Sequence, residues 1–308
     1  MTSAVVFAYH DVGVRCLAVL LAHRIQVPLV ITHQDNPDEN IWFESVAQLA
    51  QQHDIPTLTA PDPHAPEVAA RIRALQPDFI FSFYYRAMLK PGLLQLAHRG
   101  AYNMHGSLLP KYRGRVPVNW AIIHGERETG ATLHEMVEKP DAGRIVDQQA
   151  VPILPNDIAV DVFRKVTLAA EIVLDRCLPA LVAGSAKLTP QDLSRGGYFG
   201  ARRPEDGRIN WREDAWTVHN LVRAVAPPYP GAFSTIGARR LRILRTLYTE
   251  QTDCTTGAPV LSAADHGLEL RCADGRKLKV LEADIDGQRL APENFARLLG
   301  SSAILLTH

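Results

Sequence analysis

Asn103, His105 and Asp141 sit in the segments NMHGSLLPKYRG and DAGRIV. They bring a carboxamide, an imidazole and a carboxylate, a set that could run acyl transfer without a metal or a covalent nucleophile. Imidazole titrates near neutrality and can accept a proton from an attacking amine or return one to a leaving group. A carboxamide N–H can steady a developing oxyanion, and a carboxylate can orient the imidazole. On spacing alone a second reading stays open, in which Asn103 caps a turn, His105 satisfies a buried contact and Asp141 opens the Asp-Ala-Gly turn.

Other site classes are not indicated. No G-x-S-x-G surrounds Ser107, so that hydroxyl is expected to hydrogen-bond locally. No G-x-G-x-x-G or Walker A run follows the first apolar segment. HEMVE, from His134, is not the H-E-x-x-H zinc signature, and its residues read as alternating strand side chains; no metal is expected. Lys111, Arg113 and Arg115 form a basic cluster suited to phosphate or carboxylate, or to a solvated surface. Tyr84 and Tyr85 could stack on a planar ligand or pack in the core.

The elements that must position these groups follow from hydrophobic pattern. Residues 4–9, 27–32 and 79–83 are continuous apolar runs separated by helix-length segments, the spacing of βαβ units in a parallel, doubly wound sheet covered on both faces. Residues 101–104 predict a further strand, so Asn103 and His105, two apart, face one side at a strand end. Residues 118–124 predict a helix, 129–136 and 144–151 two strands, and 159–181 a long helix ending near Gly184. The polar, Gly- and Arg-containing residues 188–206 suit an interdomain connection, and the short segments after it, with an Asp274-Gly275 turn, predict a small β-rich domain. The expected layout is a catalytic domain over residues 1–187, a linker over 188–206 and a smaller domain over 207–308.

A chain of 308 residues favours about two domains. Lys plus Arg and Asp plus Glu balance at 33 each, which gives no global basic surface for nucleic acid or an anionic membrane. Cys16, Cys177, Cys254 and Cys272 are scattered, so reduced, structural thiols are expected. No run approaches the roughly 20 apolar residues of a membrane span, and a cytoplasmic protein is expected.

The stretch NMHGSLLPKYRGRVPVNWAI together with DAGRIV resembles the 10-formyltetrahydrofolate-dependent formyltransferases, in which Asn, His and Asp form the catalytic set. The resemblance continues through FAYHDVG, THQDNPDEN, FSFYYR, FGARRPEDG and NLVRAVAPPYPGAFS, and is strongest to members acting on UDP-4-amino-4-deoxy-L-arabinose in lipid A modification. It implies an α/β fold, with a Rossmann-like N-terminal domain and a C-terminal OB-like β-barrel. It implies Asn103, His105 and Asp141 as catalytic residues and 10-formyltetrahydrofolate as cosubstrate. By the same carry-over, Ala87, Met88 and Leu89 line the folate site beside Arg115. Val137, Glu138, Lys139 and Pro140, with Asp141, line it from the other segment. Tyr9, Arg202 and Arg203 are candidate contacts to an amino-sugar nucleotide.

Two relatives within the resemblance remain as alternatives: enzymes formylating a dTDP-4-amino-4,6-dideoxyhexose, and methionyl-tRNA formyltransferase. The latter carries a basic insertion for tRNA, whereas the comparable loop here, HQDNPDENIWFE, is acidic, which disfavours a nucleic-acid partner. UDP-4-amino-4-deoxy-L-arabinose enzymes are commonly fused to a dehydrogenase, and no second nucleotide-binding fingerprint occurs before His308. A standalone enzyme or an excised part is therefore expected.

Overall fold

A computed structural model describes residues 1–250 and 256–306. The chain divides into two compact units, one of Met1–Pro117, Thr129–Val151 and Arg164–Gly200, the other of Val118–Glu128, Pro152–Phe163 and Ala201–His308.

The chain opens with β1 (Ser3–Ala8), α1 (His10–Ala22), β2 (Gln26–Thr32), α2 (Val46–Gln52), β3 (Thr57–Thr59) and α3 (Pro66–Leu75). It continues through β4 (Phe79–Phe83), α4 (Pro91–Leu94), β5 (Gly100–His105), β6 (Arg113–Gly114) and α5 (Pro117–Ile123). β7 (Glu128–Glu135), β8 (Ile145–Pro152), α6 (Ala159–Ala183) and β9 (Tyr198–Phe199) follow. The main sheet runs β3-β2-β1-β4-β5-β7-β8. Every residue of β4 and all but the first of β1 are buried, which is why these strands read as unbroken apolar runs. Successive strands step outward from β1 to β3, and the chain then returns to start again at β4. The switch between β1 and β4 opens a crevice at the strands' carboxyl ends.

The sheet is not parallel throughout. β5 pairs with β7 antiparallel, Asn103 opposite His134 and His105 opposite Thr132. Only nine residues join β7 to β8, too few for the crossover that a parallel pair needs. Arg144 clasps Glu135 through two bonds of 2.6 Å across that connection. The stretch 188–206, read as a connection, contains β9, which pairs with β6 through Arg113↔Tyr198 and Gly114↔Phe199. The long helix ends as expected at Gly184, whose φ is 71°.

The other unit contains α7 (Ala215–Ala224), β10 (Ala232–Ile236), β11 (Arg239–Leu247), β12 (Val260–Ala264), β13 (Gly267–Arg271), β14 (Lys277–Ile285), β15 (Gln288–Arg289), α8 (Pro292–Leu299) and β16 (Ala303–Leu305). These form the expected small β domain, a half-barrel sheet in the order β10-β11-β14-β13-β12-β16. Gly275 turns the β13–β14 hairpin at φ 81°. Its own core includes Trp211, Val218, Leu241, Ile243, Leu270 and Phe295. Cys16, Cys177 and Cys272 are buried free thiols, and Cys254 lies outside the described residues. Among the described residues no helix is long and apolar enough to cross a membrane.

Candidate active site

The carboxyl end of β5 brings Asn103 and His105 to one side, as the two-residue period requires, while Met104 is buried. Asp141 reaches them from the loop between β7 and β8. Its φ of 51° is left-handed, a conformation uncommon for a residue with a Cβ. Gln191 fastens that loop by donating to the carbonyls of Asp141 (3.1 Å) and Gly143 (2.6 Å).

His105 is buried and its Nε2 lies 2.8 Å from the carbonyl oxygen of Tyr112. A carbonyl only accepts, so this nitrogen carries the proton of the neutral ring, and Nδ1 is left as the basic atom. Nδ1 faces Asp141 Oδ1 at 3.6 Å. Asp141 Oδ2 accepts from the Gly114 N–H at 2.8 Å. Burial pushes the Asp141 carboxyl up, but the positive charge that His105 and His134 carry when protonated, together with the Gly114 N–H, outweighs it and holds the group well below the usual carboxylate range. Asp141 is an anion set between two rings.

His134, read from the sequence as an alternating strand side chain, does stand in strand β7, and it supplies the second ring. His134 Nε2 lies 3.4 Å from Asp141 Oδ1 and 3.1 Å from Asn103 Nδ2. The available signal was register: once β5 and β7 pair antiparallel, Asn103 and His134 are directly opposed. Ser107 does bond locally, its hydroxyl donating to the Lys111 carbonyl at 2.6 Å.

Leu89 belongs to an apolar cluster against which Ala87 and Met136 also pack. Met88 (57% exposed) and Val137 (43% exposed) leave apolar surface in the two segments assigned to folate. Glu138 and Lys139 are exposed and Pro140 half-buried. Arg115 donates to the Arg86 carbonyl at 3.0 Å. Arg113 is buried, and its Nε has no hydrogen-bond partner among the described residues.

At the ends of β1 and β4 the aromatic groups are largely engaged with one another. Tyr9 donates its hydroxyl to Asp35 at 2.6 Å and lies under the Arg86 guanidinium, which pairs with Glu39. Burial and then Arg86 push His10 down to about 3, so its ring, stacked on Phe43, is neutral near pH 7. Tyr85 stacks on His33 at 4.1 Å, the packing role rather than a ligand platform. Arg202 and Arg203 belong to the other unit. There Arg202 lies over Trp120 at 4.8 Å, and the Arg203 N–H donates to Asp206 at 2.6 Å. No group of three or more His, Cys, Asp or Glu among the described residues is placed to hold a metal ion.

A family model described as formyl transferase matches residues 17–178, and one described as formyl transferase, C-terminal domain, matches residues 202–299. The chain is similar in structure to the N-formyltransferase from Helicobacter canadensis in complex with folinic acid and dTDP-3-aminofucose. The TM-score is 0.75 at 20% identity, covering 94% of this chain and 100% of that one. It is also similar to WlaRD, a sugar 3N-formyltransferase solved in the presence of dTDP and 5-N-formyl-THF (TM-score 0.72, 21% identity, 94% and 98% covered). A sugar N-formyltransferase from a Shewanella species matches with a TM-score of 0.64 at 17% identity, over 82% and 99% of the two chains. At these identities the structural likeness establishes a shared fold. With the first family model spanning more than half of its length and the second covering the half-barrel unit, the chain belongs to the formyl transferase family and carries both of its domains.

Proposed function

We propose that the chain is an amino-sugar-nucleotide N-formyltransferase drawing its one-carbon unit from 10-formyltetrahydrofolate, with the 4-amino group of UDP-4-amino-4-deoxy-L-arabinose as acceptor. The observation that carries this reading is the convergence of Asn103, His105 and Asp141 at the carboxyl end of β5. The Ala87–Met88–Leu89 and Val137–Asp141 segments, with Arg115, would hold the donor, which supplies the electrophilic formyl carbon. Tyr9, Arg202 and Arg203 are the proposed contacts to the sugar nucleotide.

In this reading the acceptor amine forms the new C–N bond, and His105 Nδ1 takes the proton that the amine must shed. An Asn103 N–H stabilises negative charge on the formyl oxygen. The proton held by His105 then passes to the departing nitrogen of the donor. Asp141, anionic beside the ring, stabilises the imidazolium while it exists.

A second acceptor is favoured by a specific observation: the Helicobacter protein was solved with dTDP-3-aminofucose and WlaRD with dTDP. The deciding experiment incubates the chain with 10-formyltetrahydrofolate and a panel of UDP- and dTDP-amino sugars, and reads formylated product by mass. Formylation of UDP-4-amino-4-deoxy-L-arabinose is expected. Reaction of a dTDP-amino sugar alone replaces the acceptor and keeps the reaction, and donor consumption yielding only free formate defeats the transferase reading.

A further inference from the structure

We infer that His134 is a positioning residue for this transfer, acting through the amide of Asn103; the inference rests on the function proposed above. His134 stands on β7 directly opposite Asn103 on β5, and is only 1% exposed. Its Nδ1 lies 2.7 Å from the Glu135 carbonyl oxygen. Since a carbonyl only accepts, Nδ1 carries the proton of the neutral ring and Nε2 is left as an acceptor. Asn103 Nδ2 is 3.1 Å from that Nε2 and donates one N–H to it.

This bond decides which end of the carboxamide does the chemistry. A primary amide turned half over about its last bond exchanges donor for acceptor at almost no steric cost. At Asn103 the reversed orientation would set the amide oxygen against the Nε2 lone pair of the neutral ring. His134 therefore selects the orientation with the NH2 group toward β7, leaving the second N–H of that nitrogen to meet the formyl oxygen. Asp141 Oδ1 neighbours both rings, at 3.6 Å from His105 and 3.4 Å from His134, so base and oxyanion donor are set against one reference group.

Two substitutions separate the roles. His134→Asn keeps a polar group near Nδ1 and removes the Nε2 acceptor, whereas His134→Gln sets a side-chain oxygen near the place of Nε2. His134→Asn is expected to lower kcat roughly 10- to 100-fold, less than deleting an oxyanion donor outright, with KM for donor and acceptor within about twofold. His134→Gln is expected to recover most of that loss. In an Asn103→Ala background, His134→Asn should cost less than about twofold more, because its route of action is already gone. The Asn103 side-chain amide resonances give a reading independent of turnover: they should shift and exchange faster in His134→Asn and stay near wild type in His134→Gln. Equal losses in both variants, full additivity with Asn103→Ala, or unchanged amide resonances in His134→Asn would overturn the inference. Should His134→Asn not fold, a folded His134→Gln with kcat down 100-fold overturns it as well. Unchanged turnover in Asn103→Ala and His105→Asn instead defeats the proposed function itself.

Discussion

Asp141 is held by opposing demands. Its backbone sits at a left-handed φ of 51°, while its side chain is fastened by the Gly114 N–H and flanked by two imidazoles. Its folded pKa lies below the ordinary carboxylate value of about 3.9. The stabilisation it contributes is therefore fully present above the unfolded value and is lost as pH falls through the folded one. Against Asp141→Asn, wild type should hold an advantage of roughly 1.5–3 kcal/mol, the range for hydrogen bonds to a charged group. That advantage should be flat above about pH 5 and shrink below about pH 4. Urea unfolding of both proteins from pH 8 to pH 3 checks it, and a gap that widens with acid contradicts the argument. Asn103 and His105 were legible because a strand's two-residue period puts them on one side whatever their partners. The contact of His134 with Asn103 was not, because HEMVE shows only alternation, and that contact exists only once β7 is registered against β5.

The elements that complete the site are the shortest ones. β6 has two residues; the N–H groups of Arg113 and Arg115 bond to Gly197 and Phe199, and the Gly114 N–H between them turns the other way to Asp141. Gly114 adopts φ 100°, and a Cβ there would overlap the Phe199 carbonyl oxygen. Gly114→Ala should therefore destabilise the protein by about 1–3 kcal/mol and lower kcat by displacing Asp141. Thermal melts together with turnover test this, and a variant with wild-type stability and rate would show that β6 does not set the carboxylate. The long apolar strands could be read from composition, since burial on both faces demands it. Two-residue strands carry no period at all, so β6 was invisible and β9 was absorbed into a presumed connection. The antiparallel β7 was likewise hidden, because residues 106–127, with their helix, are long enough for a parallel crossover too, so neither connection length nor strand composition fixes its direction against β5.

Across the whole molecule, the two units have separate cores and each makes its own sheet. The residues proposed for the donor all belong to the unit holding Asn103 and His105, whereas Arg202 and Arg203 belong to the half-barrel unit. A ligand protects the native state by about RT ln(1 + [L]/Kd), or about 2.7 kcal/mol at a hundredfold excess over Kd. That protection spreads over every amide exchanging by global unfolding, while local openings respond only where the ligand touches. With folinic acid as a stable analogue of the donor, fast-exchanging amides at 87–89 and 137–141 should slow. Those of the half-barrel hairpin joining β13 to β14 should keep their rates. Adding the sugar nucleotide that proves to be the acceptor should then slow amides around Arg202 and Arg203. Hydrogen exchange read by mass spectrometry, peptide by peptide, makes the comparison. Folinic acid slowing the β13–β14 hairpin as strongly as residues 137–141 would mean that the donor is not held by the segments to which it is assigned.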